Sequence, residues 1–390
     1  SNVSPNRPFQ TWLDGFGYSA DEFFPAAYAG NGTGAGIGHD IWSLSSPHFD
    51  GNIMEGTIAK SGQSMPFYFT NTNGLSLSET QRTIEPGQDW TVNGIQSLSL
   101  NIYGDPNNSG QLYLKINDTR IDYVGLSDAL QRPQWIPWNI DLSDVTGLQN
   151  VTSLAIGIDG VGATGFIFID DIGLYPLTPE AFEPVVPNDS DPNLVAFYEF
   201  EGNANDSARD HDATAAGAPL YIQGQRGQAI RFDGFVDHVV HPFDADEIWS
   251  ASSVSLWART DALSQAINTG LFNNNSADND FQFDVNGDDP GFYRYSGTGG
   301  NHVFGPVTNE WVHLAMSCDG TATNIYYNGL FVTSLDQANT QYGQIAVGIN
   351  RGMLNMFEGE IDDVRVYNRA LSHGEIAGLA GLTETLPASF

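Results

Sequence analysis

The chain has 390 residues, with 14 Lys+Arg against 47 Asp+Glu and a formal net charge of −33 at pH 7. Such a field repels nucleic acid and anionic membrane surfaces, and a composition 41% hydrophobic and 12% aromatic excludes intrinsic disorder. The single Cys removes any intrachain disulfide or Cys-based zinc site, while 43 Gly and 19 Pro predict many turns in about two domains.

In chain order, Ser1-Asn2-Val3-Ser4-Pro5-Asn6 has neither the basic region nor the apolar core of a signal peptide. No apolar stretch reaches transmembrane length. With an acidic, lysine-poor surface, this reads as a mature or excised piece of a secreted, extracellular or cell-surface protein. Gly32-Thr33-Gly34-Ala35-Gly36-Ile37-Gly38 lacks the preceding strand and following Lys-Ser/Thr of a nucleotide loop, and reads as a surface loop. His39, Asp40 and His48 lack helical metal-site spacing.

Alternation with period two then predicts strands at Ser97–Tyr103 and Leu112–Ile116, and later at Val254–Arg259 and Trp311–Met316. The first domain closes on Gly165-Phe166-Ile167-Phe168-Ile169-Asp170-Asp171-Ile172. A proline- and acid-rich stretch follows, which cannot continue a strand. The predicted boundaries are 1–177, a linker at 178–191, and 192–390. In the second half Asn328-Gly329 predicts a type I′ hairpin, and Cys318 a buried strand residue. The closing strand Glu360-Ile361-Asp362-Asp363-Val364-Arg365-Val366-Tyr367 repeats the Asp-Asp pair, and Ser372–Leu379 is the one helical stretch. The fold class expected is all-β, two antiparallel β-sandwich jelly rolls in tandem.

Three sets of residues in the second half carry a resemblance. They are Phe197-Tyr198-Glu199-Phe200-Glu201-Gly202-Asn203-Ala204-Asn205-Asp206-Ser207, then Ile230-Arg231-Phe232-Asp233-Gly234, then the closing strand with Asn368-Arg369-Ala370-Leu371-Ser372. In this order residues 193–380 resemble the laminin-G-like, concanavalin A-like jelly roll. The resemblance implies a structural calcium held by Asn203, Asp206 and Asp362, with Asp237 as a further candidate. Strict alternation puts Asp362 on the core side with Val364 and Val366, where a carboxylate needs a partner. Arg231 and Arg259 are candidate partners, and hydrogen bonds from a neighbouring loop's amides are the alternative to calcium. Ala208-Arg209 departs from the Ser-Gly turn usual after Asp206-Ser207.

Residues 8–177 resemble a galactose-binding-like jelly roll of the carbohydrate-binding-module kind. The resemblance rests on Gly62-Gln63-Ser64-Met65-Pro66-Phe67-Tyr68-Phe69, Trp138-Asn139-Ile140-Asp141-Leu142 and Ile169-Asp170-Asp171-Ile172. It implies a second calcium, with Asp170 or Asp171 as one ligand and Asp14 as the early partner.

One glycosidase family on the concanavalin A-like fold places Glu-x-Asp-x-x-Glu on a strand, and Glu360-Ile361-Asp362 starts that pattern. Arg365 stands at the second Glu position and cannot serve as general acid or base, so no catalytic residue is expected. Binding remains. Aromatic faces for sugar stacking are offered by Trp42, Trp135 and Trp138 beside Arg132, and by Phe292, Tyr293, Arg294 and Tyr295. Core packing is the competing role for each. Trp257 and Trp311 read as core. The expected function is a non-catalytic, calcium-stabilised glycan-binding or adhesion protein, or such a segment of a larger one, with a polysaccharide or glycoconjugate as partner. The alternatives are a self-associating subunit of a matrix, sheath or surface filament, and a glycoside hydrolase or polysaccharide lyase.

Overall fold

The computed structural model describes residues 12, 15, 27, 29–40 and 51–387, except 263–264, 275–279, 285–290, 296–301, 305–308 and 337–339. At 242–248, 282–284, 293–295, 302, 341 and 387 it describes the backbone alone. The chain forms two compact units, Ser1–Phe182 with Glu384–Phe390, and Glu183–Thr383. The second half of the proline-rich stretch is anchored within the second unit. There the Val185 amide donates to the Gly374 carbonyl, and Asp189 and Asp191 pair with Arg365 and Arg369.

Both units are antiparallel β-sandwiches, as the alternating pattern requires. In the first, one sheet runs Ala35–Ile37, Met65–Thr70, Thr164–Tyr175, Ser97–Tyr103, Trp135–Asp141. The other runs Leu77–Gln88, Val151–Asp159, Gln111–Ile116, Thr119–Asp122. Alternate residues supply the core: Phe67 and Phe69, Leu100 and Ile102, Leu112 and Leu114, Ile156 and Ile158 are almost fully buried. At about 25 cal/mol per Å² of apolar area removed from water, such rows dominate the stability of each sandwich.

In the second unit, Leu220–Gln223, Gln228–Asp233, Glu358–Tyr367, Ser252–Arg259, Val312–Cys318, Thr323–Tyr327 and Leu330–Leu335 form one sheet, with Leu194–Tyr198 also paired to Glu358–Tyr367. The facing sheet begins Thr214–Ala216, His238–Ile248, Gln341–Val347, Thr269–Asn273 and continues through Gly291–Tyr295. Ile230, Phe232, Val254, Leu256, Ile361, Val364 and Val366 fill the space between them. The Asn328-Gly329 turn has positive φ at both residues, 49° and 82°, as a type I′ hairpin demands. Cys318 is buried.

The outer face of the first of these sheets is covered by the helix His373–Leu379. Ser372 and Glu375 form a reciprocal capping box at its start, and Ile376 and Leu379 pack with Leu194, Phe197, Tyr326 and Tyr367. Among the described residues no helix is long and apolar enough to cross a membrane.

The two closing strands share a departure from regular pleating. Pairing slips between Ser99 and Asn101 opposite Gly173 and Asp170, and between Ser255 and Trp257 opposite Arg365 and Asp362. At each slip the second aspartate, Asp171 or Asp363, has φ 49°. This is a β-bulge built on a residue type that tolerates the left-handed region. The extra residue resets the alternation. Asp362 therefore lies opposite in phase to Ile361, with Glu360 on the outer side, and not on the core side with Val364 and Val366 as strict alternation predicts.

Candidate functional site

The bulges bring each first aspartate under a loop of backbone amides. In the first unit Asp170 Oδ2 accepts from the Lys60 and Ser61 amides at 2.8 and 3.0 Å, Oδ1 accepts from the Asp171 amide at 2.7 Å, and Asp171 accepts from Ser61 Oγ at 2.5 Å. Lys60 Nζ reaches Asn101 Oδ1 at 2.9 Å. Burial holds the Lys60 ammonium below its ordinary pKa, against the opposing pull of Asp171 and Asp170. In the second unit Asp362, wholly buried, accepts the Arg226 amide on Oδ2 at 2.9 Å, while Oδ1 has no partner. Desolvation, with Asp363 adding repulsion, pushes its carboxyl up to about 7.

Asp363 is also buried, with Arg226 Nη1 at 3.2 Å and Arg365 Nη2 at 3.9 Å. Strict alternation would turn Asp363 outward, opposite Asp362; the bulge changes the facing of both. Arg231 and Arg259 do not pair with Asp362; both clamp Glu360, at 3.3 and 2.9 Å. Arg365 lies against the Phe197 ring at 3.6 Å and donates to Asp189 at 2.5 Å.

The remaining candidate calcium ligands are committed locally. Asp206 Oδ1 accepts from the Phe197 and Ala208 amides at 2.8 and 2.9 Å, and Oδ2 from the Arg209 and His211 amides at 3.2 and 3.1 Å. Asp237 accepts the Ala218 amide at 2.8 Å, and Asn203 closes its own turn onto Asn205. Calcium needs about six or more oxygens converging with their lone pairs free. A carboxylate with both oxygens capped by N–H groups presents positive dipoles instead. Among the described residues no three His, Cys, Asp or Glu converge on a common metal position. Asp206, capped on both oxygens, does not fit a calcium ion, whereas Asp362 keeps Oδ1 without a partner. Amide clamping, the alternative to calcium in the second unit, is complete at Asp206 and covers one oxygen of Asp362, and in the first unit Asp170 is clamped on both oxygens. Asp14 lies outside the described residues.

The aromatic candidates separate by burial. Phe292 and Trp138 are core residues, Trp138 meeting Tyr123 edge-on. Trp135 is half-buried on the outer face of its sheet, edge-on to Tyr103, which in turn meets Phe168. Arg132 is held by Asp128 at 2.7 Å. Trp42 lies outside the described residues, and of Tyr293, Arg294 and Tyr295 only the strand backbone is described. Trp257 is buried, whereas Trp311 is half-buried under the Arg259 guanidinium rather than in the core. His39 is buried between Tyr68 Oη at 2.7 Å and Glu55 Oε2 at 3.0 Å, and is not an exposed metal ligand.

Among the described residues an accessible concavity lies elsewhere in the first unit. Loop 89–96 and loop 142–150 together border an open cleft of about 900 Å³. Its apolar side is the half-buried Ile95 and Val145 together with the buried Trp90, Leu142 and Leu148, and its polar side includes Thr91, Gln96 and Gln149, all exposed. The loops are tied by backbone bonds from Trp90 to Leu148 at 2.8 Å and from Leu142 to Gln96 at 3.0 Å. Asp89 accepts both the amide and hydroxyl of Thr91, and Asp141 accepts the Ser143 amide at 2.8 Å. Gly147, at φ 78°, makes the turn into the short helix Leu148–Asn150. No motif marks these loops in the sequence. Their only signals are the clustered turn residues Asp89, Asn93 and Gly94, and Ser143, Asp144 and Gly147.

Residues 241–377 match the Laminin_G_3 family, the concanavalin A-like lectin/glucanases superfamily. Among solved structures the chain is similar to domain 4 of AbnA, a GH43 extracellular arabinanase from Geobacillus stearothermophilus, in complex with arabinotriose. Identity is 24% and the TM-score 0.41, over 48% of this chain and 98% of that one. It is similar also to the binding domain of Paraclostridial Mosquitocidal Protein 1, at 17% identity and TM-score 0.41, over 50% of this chain and 52% of that one. A third is the receptor binding domain of botulinum neurotoxin C/D mosaic serotype, at 16% identity and TM-score 0.36, over 48% and 51%. The chain thus spans about half the length of these toxin binding domains. No curated protein matches the chain. Residues 241–377 thus carry a concanavalin A-like sandwich.

Proposed function

We propose that the chain is a non-catalytic, extracellular glycan-binding or adhesion protein, or such a segment of a larger secreted protein, and that sugar docks in the cleft between loops 89–96 and 142–150. The observation that carries this reading is the cleft itself: an open concavity lined by apolar residues and by hydroxyl and amide groups. Sugars need that combination, since their C–H faces seek apolar surface and their hydroxyls need paired donors and acceptors. The lectin-like family matched by residues 241–377, in the second unit, supports glycan binding by the chain as a whole and does not bear on this cleft. The non-catalytic part rests on Glu360, whose carboxylate is clamped between two arginines, and on Arg365 at the position a second acid would need. Calcium is not part of the proposal, because amides cap both oxygens of Asp206 and one of Asp362, and among the described residues no three His, Cys, Asp or Glu converge on a metal position.

A glycan array with the intact chain, run with and without EDTA, tests the reading. Binding to a subset of glycans, unchanged by EDTA and weakened about tenfold by the double change Thr91→Ala and Gln149→Ala, is expected from the loss of one or two hydrogen bonds. An array without binding, or binding that the double variant leaves intact, rejects it.

A further inference from the structure

Resting on the glycan reading of the same cleft, we infer that it selects neutral glycans and discriminates against those carrying carboxylate or sulfate groups. Among the described residues lining it there is one charged side chain, Asp141, and no Lys, Arg or His. Asp141 spends Oδ1 on the Ser143 amide, which fixes the carboxylate at the end of its strand and leaves the second oxygen as an acceptor. The other polar groups, among them Gln96, Gln149, Thr91 and Thr146, are neutral. They exchange hydrogen bonds with hydroxyls in either direction but bring no cation.

Recognition of a uronate, sialate or sulfate draws on charge-assisted bonds, for which arginine is the usual provider. Here the nearest fixed charge is of the same sign, and the whole chain adds a net −33. An anionic sugar in this cleft would lose its hydration, gain no counter-charge and face a carboxylate across a partly solvated gap. A neutral hydroxyl-rich sugar meets none of these costs, and Asp141 becomes an acceptor for it, a stronger one than an amide oxygen.

The test uses the intact chain with a panel of neutral gluco-, galacto- and manno-hexasaccharides and the same oligosaccharides oxidised at C6 to uronates. Affinities are measured by calorimetry at 20 mM and 500 mM NaCl. The expected result is a neutral ligand bound about tenfold more tightly than its oxidised form at low salt, the order of one like-charge contact at intermediate dielectric. That ratio falls at high salt, where the Debye length shrinks to a few ångströms, and it falls in Asp141→Asn, which keeps an oxygen for the Ser143 amide. Oxidised ligands bound as well as or better than neutral ones overturn the inference and leave the glycan reading standing. So does a ratio that Asp141→Asn does not change. If neither form of any oligosaccharide binds, the glycan reading itself fails and this inference falls with it.

Discussion

Replacing Asp362 by Asn should make the protein more stable, and by an amount that grows with pH. Asp362 is wholly buried, with the Arg226 amide on one oxygen and nothing on the other. Desolvation, the largest influence, and then the nearby Asp363 raise its pKa from 3.8 to about 7. The folded chain therefore binds this proton more tightly than the unfolded chain. Between about pH 4 and pH 7 the native state holds a proton the unfolded state has released, so stability falls as pH rises through that window. At about 1.4 kcal/mol per pKa unit, a rise of roughly three units amounts to about 4 kcal/mol lost by pH 8. Asn has the same shape, keeps an oxygen for the Arg226 amide and carries no charge. Urea unfolding of Asp362→Asn and wild type at pH 5, 6, 7 and 8 should give a small difference at pH 5 and a gain of about 2–4 kcal/mol for the variant at pH 8. A variant less stable than wild type at pH 8 refutes the reasoning, because it would mean that a cation or other partner stabilises the ionised form.

Asp363→Ala should instead destabilise by about 2–4 kcal/mol in calorimetry, since it strips Arg226 of a buried partner and places Ala at a positive φ. An effect below 0.5 kcal/mol would contradict that pairing. Asp206→Ala should cost more than 3 kcal/mol, because four backbone amides lose their acceptor together; denaturant midpoints read this directly. Melting curves in EDTA and in 5 mM calcium should superimpose. A Tm rise of several degrees in calcium would show that a site exists despite the amide clamps.

The sandwich architecture was legible because a half-buried strand must alternate. Ser97–Tyr103 emerges at the bounds read from the sequence, and Asn328-Gly329 makes the turn its two left-handed residues allow. The closing strand of the second unit was misread at Asp362. A bulge adds a residue to the strand, and alternation beyond it reverses, so Asp362 and Val364 are not on one face. The repeated Asp-Asp pair was the available hint, since aspartate accepts the left-handed conformation that the bulged position needs. The fate of Asp206 was hidden for another reason: its four donors are main-chain amides, which every residue carries and no side-chain pattern advertises. The cleft escaped notice because it is made by two loops far apart in sequence, joined by the Trp90 and Leu142 backbone bonds. Of the aromatic candidates Trp135 is half-buried, whereas Trp138, three residues on, lies on the core side of the same strand.

The most direct test of where the protein binds is the tryptophan indole N–H region of its proton–nitrogen correlation spectrum, titrated with the tightest neutral oligosaccharide of the panel. The chain has eight tryptophans, and Trp90, whose Nε1 donates to Gln88 at 3.1 Å, lines the cleft. Assignment by Trp90→Phe identifies its resonance. The account predicts that the Trp90 signal shifts with saturation while that of Trp257, buried in the second unit, stays fixed. A Trp90 signal unmoved at saturating ligand, with another indole such as that of Trp135 shifting in its place, would contradict it.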